Sequence, residues 1–231
     1  MVSDDYPTQS LSRDKISPRG KDQRDNFGTV GLVLCGGAGR RMAGRDKGLM
    51  DIHGRPSVAW ALALLQPLSD SCFISANRNQ KRYAQLGMGE VIGDLRPGFQ
   101  GPLAGLEAIV PALEATSGAE RLLLLPCDLP MLSADVPRRL LEELDARLDT
   151  DIIYARTDSQ SHYLCAALRT RVLGTLGEQL DQGNRAVHRW YAQCSSAALE
   201  FSGELAKGFV NMNRAEDLGL QPGLSAKDSE V

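Results

Sequence analysis

With 231 residues, 42% of them hydrophobic and 24% charged, the chain has the composition of one ordinary globular domain with a substantial core. Its formal net charge of −3 at pH 7 supplies no general field for nucleic acid or a membrane surface, so an anionic ligand must be held by local groups. The five cysteines include no C-x-x-C pair and meet no His cluster, which argues against a zinc site, and without an export signal they argue against a disulfide framework.

Residues 1–26 are rich in Ser, Asp, Lys, Arg and Pro, and their isolated apolar residues keep no period, which predicts a disordered leader. The segment lacks the apolar centre of a signal peptide, and no later stretch approaches the length of a membrane span. The expectation is a cytoplasmic protein with one domain over 27–220 and a polar tail over 221–231.

The richest stretch is Thr29 to Gly48, TVGLVLCGGAGRRMAGRDKG. Val30, Leu32, Val33 and Leu34 sit side by side, as in a strand buried on both faces of a parallel sheet. Gly36, Gly37 and Gly39 then remove side chains where the chain turns, so main-chain N–H groups can approach an anion. Arg40, Arg41, Arg45 and Lys47 surround the turn with positive charge, and a polyphosphate is the natural occupant. A dinucleotide fingerprint is excluded because Met42 stands where its third glycine would be, and a P-loop because Gly44 is followed by Arg45 and Asp46.

The pattern present is L-x-G-G-x-x-x-R-M-x-G-x-D-K-G, carried by Leu34, Gly36, Gly37, Arg41, Met42, Gly44, Asp46, Lys47 and Gly48. It strongly resembles the nucleotide loop of the molybdenum cofactor guanylyltransferases, within the wider nucleotidyltransferase superfamily. A structural glycine turn with solvated arginines is the alternative, but a chance loop meets so many fixed positions poorly. The resemblance implies a Rossmann-like three-layer α/β/α fold. Its sheet would be mostly parallel, with an antiparallel part in the C-terminal half. Leu34, Cys35, Gly36, Gly37, Arg41 and Lys47 would bind GTP. The guanine enzymes carry Ala-Gly-Gly where related cytidylyltransferases carry Ala-Ala-Gly; here Cys35-Gly36-Gly37 matches the guanine pattern at its second position and departs from both at its first.

Further along, Leu49 to Pro56 reads as a short strand pair or a turn, and Val58 to Leu68 carries helical spacing. Cys72 to Ile74 suits a second buried strand that presents Ser75, Ala76, Asn77 and Arg78 at the sheet's carboxyl edge, where open α/β folds bind ligands. The resembling family places an Asn near the base at the position of Ser75. EVIGD is another short strand, closing on Asp94, which matches the family's acid near the nucleotide sugar or base. After a Gly- and Pro-rich loop, Leu103, Leu106, Ile109, Val110 and Leu113 form one helical stripe that Pro111 should kink. Gly105 belongs to the turn that matches the family.

Leu122 to Leu125 is a strand candidate that leaves Asp128 at the mouth of the sheet. A carboxylate there can hold Mg²⁺ with nucleotide phosphates, and Asp128 matches the family's Pro-Cys-Asp metal motif; an N-cap is the structural alternative. Cys35 and Cys127 read as small fillers at strand ends, since no nearby His would activate a thiol. Ser133 to Leu148 has the pattern of a surface helix. From Asp151, two strands joined by a polar turn predict the antiparallel part, with His162 at that turn. Gly183, Asn184 and Arg185 follow a helix, and Phe209 and Val210 read as a last strand before Asn211 and Asn213.

By resemblance, Lys47 and Asp128 are the catalytic pair, Ser75 and Asp94 join the GTP site, and Gly105, His162, Asn211 and Asn213 face molybdopterin; Arg185 joins them by residue type, as a contact for a substrate phosphate, with surface solvation as the alternative. The implied reaction moves GMP from GTP to Mo-molybdopterin, with Mg²⁺ as cofactor. The implied protein partners are those that insert molybdenum and the molybdoenzymes that receive the product. A nucleotidyltransferase using CTP or a sugar phosphate, or a non-catalytic nucleotide-binding module, are the alternatives.

Overall fold

The computed structural model describes residues 28–36, 46–98, 100–115, 118–158 and 160–211. The leader, Gly37 to Arg45 with Arg41, Asn213 and the polar tail lie outside the described residues.

β1 (Gly28–Leu34) leads into the expected short strand pair, an antiparallel hairpin of β2 (Asp51–Ile52) and β3 (Arg55–Pro56) that stands apart from the main sheet. In that sheet β1 runs parallel to β4 (Ser71–Ser75) on one side and to β6 (Ala119–Pro126) on the other, and β4 carries β5 (Glu90–Ile92) in parallel. β8 (Gln160–Arg169) runs antiparallel to both β6 and β7 (Ile152–Thr157), while β9 (Ser196–Glu200) is parallel to β7. The seven strands therefore stand in the order β5-β4-β1-β6-β8-β7-β9. Val30, Leu32 and Val33 are fully buried, which is why β1 is an unbroken apolar run rather than an alternating one.

Each face has its own core. α1 (Ser57–Leu65), α2 (Gln80–Gln85) and α5 (Asp135–Ala146) set Val58, Leu62, Tyr83, Val136, Leu140 and Leu144 against one face. α3 (Pro102–Glu107), α6 (Leu176–Asp181) and α7 (Val187–Tyr191) set Leu103, Leu106, Leu176, Leu180 and Trp190 against the other. The expected three-layer arrangement with an antiparallel part is the one present. Among the described residues no helix is long and apolar enough to cross a membrane.

Three sequence expectations are corrected. Pro111 separates two helices rather than kinking one: α3 ends at Glu107 and α4 (Val110–Ala115) restarts with the proline in its first turn. There its missing N–H costs nothing, whereas in a continuous helix its ring would meet the carbonyl of Glu107. His162 lies inside β8, paired with Ala155, and not at the turn. Phe209 and Val210 form no strand. Phe209 follows α8 (Gly203–Lys207) and buries its ring against Phe201 and His162, at 5.6 and 4.5 Å between centroids, so side-chain packing takes the place of a ladder. β9, Ser196-Ala-Ala-Leu-Glu, lacks β-branched and aromatic residues and so carries little strand signal.

Candidate active site

The chain leaves β1, builds β4 and β5 on one side, and then crosses to β6 on the other. Such a reversal opens a crevice at the carboxyl ends of the strands, because the flanking connections lead away from it in opposite directions. Four strand ends deliver candidate residues to that edge: Leu34 closes β1, Ser75 closes β4, Asp94 follows β5 and Asp128 follows β6.

The connection from β1 returns to described chain at Asp46, whose carboxylate organises the turn after it. Its Oδ1 accepts from Gly48 N at 3.2 Å and from the Tyr83 hydroxyl, and its Oδ2 accepts from Asn79 Nδ2 at 2.9 Å. This caps a 3-10 turn over Lys47–Leu49, satisfying N–H groups that the turn leaves open. Tyr83 is fully buried. Burial, reinforced by Cys35 and Asp46, pushes its phenol far up, so it stays a donor to Asp46.

Gly48 is required by this geometry. A Cβ on it would lie 2.4 Å from Tyr83 Oη and 2.9 Å from Cys35 Sγ. Gly48→Ala is therefore expected to push Tyr83 off Asp46 and to destabilise the protein by about 1–3 kcal/mol through overpacking. A thermal melt should drop by several degrees; an unchanged melting temperature would mean the turn has room to spare.

Held by that turn, Lys47 Nζ comes within 3.3 Å of Asp128 Oδ2, with side chains 33% and 19% exposed. The two residues predicted as a catalytic pair are thus adjacent across 81 positions of sequence. Asp128 is placed by its predecessor: Cys127 N donates to Leu34 O at 3.1 Å, extending the β1–β6 ladder one step, and Ser57 Oγ donates to Cys127 O. Cys35 N donates to Ser75 O at 2.9 Å and ties β1 to β4 in the same way. The Cys35 side chain is buried beside Cys127, and burial holds its thiol well above the ordinary range, so it packs rather than attacks. Gly36 is exposed, with open space where a Cβ would stand.

Ser75 is buried. Above it, a Cβ on Gly105 would lie 2.7 Å from Ser75 Oγ and 2.9 Å from Leu34 Cδ2, so α3 rests directly on the ends of β1 and β4. Asp94 and Asn77 exchange hydrogen bonds, Asn77 Nδ2 to Asp94 Oδ2 at 2.6 Å and Asp94 N to Asn77 Oδ1 at 2.8 Å. Burial raises the Asp94 carboxyl, against the lowering pull of Asn77 and with a further push from Glu107. Next to it, Arg96 grips Glu107 with Nε and Nη2, both at 2.8 Å, and reaches Asp181, which fixes this loop to α3 and α6.

Of the residues assigned to the acceptor, Gly105 sits over Ser75 and Leu34, while Arg185, His162 and Asn211 lie further along the edge. Arg185 donates to Gln100 Oε1 at 2.6 Å and to Gly183 O at 3.0 Å, beside the loop that opens α3. His162 Nε2 is 3.2 Å from Thr157 Oγ1, and burial lowers its pKa. Asn211 is exposed, two residues beyond the Phe209 ring that His162 stacks on. Sequence reasoning missed Tyr83, Asn79 and Arg96, which act by holding other groups; nothing local distinguishes them from ordinary helix and loop residues.

A lysine and a carboxylate meeting at the switch point of a mostly parallel sheet, after a glycine- and arginine-rich connection, place the chain among the three-layer α/β/α proteins that bind a ligand at this edge. The fold is similar to that of molybdopterin-guanine dinucleotide biosynthesis protein A from Archaeoglobus fulgidus. The TM-score is 0.63 at 23% identity, covering 82% of this chain and 95% of that one. Residues 31–197 match the MobA-like NTP transferase domain, and the chain belongs to that family of nucleotidyltransferases. It is 37% identical over 185 residues to the molybdenum cofactor guanylyltransferase of Shewanella halifaxensis, spanning 80% of this chain and 89% of the relative. To the molybdenum cofactor guanylyltransferase of Burkholderia lata it is 40% identical over 197 residues, spanning 82% and 93%.

Proposed function

We propose that this chain transfers GMP from GTP to Mo-molybdopterin, forming the molybdopterin guanine dinucleotide cofactor. A terminal phosphate oxygen of the acceptor attacks the α-phosphorus of GTP, the bond to the bridging oxygen breaks, and pyrophosphate leaves with the electron pair. The observation that carries the reading is the Lys47–Asp128 pair at the switch point, in a chain whose relatives are named for this activity.

In this reading the main-chain N–H groups of Gly36 and Gly37 meet the nucleotide, with Leu34, Cys35 and Arg41 beside them, the Cys35 N–H being engaged by Ser75 O. Lys47 neutralises phosphate charge, and Ser75 and Asp94 lie towards the sugar and base. Catalysis is mostly positioning and charge neutralisation, with no covalent enzyme intermediate. The donor set fits a hard divalent cation such as Mg²⁺. Among the described residues no group of three or more acidic, His or Cys ligands gathers, and a cation of this kind is held by one or two carboxylates plus substrate phosphates. Asp128 is the residue that would hold it, and when bound the cation withdraws charge from the phosphate oxygens. Gly105, His162, Arg185, Asn211 and Asn213 are assigned to the acceptor side. A cytoplasmic location, donors that insert molybdenum and molybdoenzymes that receive the product complete the reading.

The test is a substrate screen with GTP, CTP and ATP in the presence of Mg²⁺ and Mo-molybdopterin, scored by pyrophosphate release and dinucleotide formation. GTP is expected to bind without acceptor, and CTP and ATP at least about tenfold more weakly, because base-edge groups left unpaired each cost about 1 kcal/mol or more. Equal affinity for the three would remove the guanine assignment.

A further inference from the structure

The reversed strand β8 begins at the carboxyl edge, and α6, which comes back from the opposite edge, delivers Gly183 to Arg185 to the same place beside Gln100. On the same side of the sheet a group of rings packs on the core under α3, α6 and α7, with its outer members only half-buried. Tyr163, half-buried in β8, packs against the exposed His188 of α7 at 6.0 Å between centroids. Behind it, Tyr154 lies at 4.9 Å and Tyr191 edge-on at 5.8 Å. Tyr191 is buried, and its hydroxyl donates to Tyr163 O at 2.9 Å, which fixes the strand that carries the outer ring.

The polar heads are the informative part. Among the described residues the Tyr154 and Tyr163 hydroxyls and the His188 ring nitrogens make no hydrogen bond. A wall that served packing alone would do as well with Leu or Phe, whereas Tyr and His keep both a flat face and an unspent donor or acceptor. His188 stands three residues from Arg185 in the chain, at the end of the crevice away from β5. We propose that Tyr163 and His188 form the platform on which the acceptor's flat, hydrogen-bonding heterocycle stacks while Arg185 faces its phosphate. This rests on the guanylyltransferase reading above and adds two residues to it. Stacking of a heterocyclic base on an aromatic side chain is strong enough for its loss to be read as a change in affinity.

The experiment compares wild type, Tyr163→Leu, Tyr163→Phe and His188→Ala for dinucleotide formation at varied Mo-molybdopterin and saturating GTP. GTP affinity and thermal melts are measured alongside. Tyr163→Leu and His188→Ala are expected to raise the apparent KM for Mo-molybdopterin about tenfold, with GTP affinity unchanged, while Tyr163→Phe raises it by a smaller but measurable factor, because the ring face remains and the hydroxyl's hydrogen bond is lost. Should Tyr163→Leu not fold, His188→Ala, an exposed site, carries the comparison. An unchanged KM in His188→Ala and Tyr163→Leu, with wild-type turnover intact, overturns the platform and leaves the activity standing. Wild-type protein that forms no dinucleotide from GTP and Mo-molybdopterin overturns the activity, and the platform with it.

Discussion

Asp128→Asn is expected to lower turnover by about 100-fold or more while the protein folds normally. The substitution keeps size and one acceptor oxygen, and it removes the charge that would hold a divalent cation against the nucleotide. Neutralising a departing pyrophosphate is worth several kcal/mol, and about 1.36 kcal/mol is one decade in rate. The carboxylate is 19% exposed, so water does little to replace it. A capping role would predict a near-silent mutant, since Asn caps almost as well. That role has no support in the geometry: the next helix, α5, begins at Asp135, and among the described residues Asp128 accepts from Lys47 and from no backbone N–H. GTP binding without Mg²⁺ should hold or tighten slightly, because a repelling carboxylate has been neutralised. Wild-type turnover at saturating Mg²⁺ would take Asp128 out of the active site.

Lys47→Ala should cost about 10- to 100-fold in kcat/KM for GTP, the range of about 1.5–3 kcal/mol for a hydrogen bond to a charged group. The melting temperature should barely move. The Lys47–Asp128 pair is partly solvated, with Lys47 33% exposed, and pairs of that kind contribute about 0–1 kcal/mol to folding. A structural lysine would give the opposite split, a lower melting temperature with kinetics spared. The double variant with Asp128→Asn should lose less than the product of the two single losses, because both groups act on the same triphosphate. A strictly multiplicative result would mean that the two side chains serve separate events.

The residues proposed to carry chemistry were legible because chemistry constrains residue type locally. Asp46, Lys47 and Gly48 come after a glycine-rich turn, and Asp128 after a run of leucines ended by Pro126; each can be read within a dozen residues. The strands before them were legible too, since burial on both faces demands an unbroken apolar stretch. Elements whose form depends on distant partners were not. Pro111 can kink or separate a helix according to what the stripe packs on, and Phe209 is strand-like in type yet spends its ring on Phe201 and His162.

By itself, then, the sequence determined the family resemblance, the parallel strands that feed the edge, and the identity of the lysine and the carboxylate, because these rest on residue type and short spacing. Only the tertiary structure decided that β8 alone runs backwards in the seven-stranded sheet, that Gly105 is small because Ser75 and Leu34 lie against it, and that Asp46 is held by Tyr83 and Asn79. It also decided that Tyr163 and His188 stand together with their polar heads unspent. The reason is physical: strand order and side-chain proximity come from the joint packing of two cores on one sheet, and no local window of sequence contains that sum.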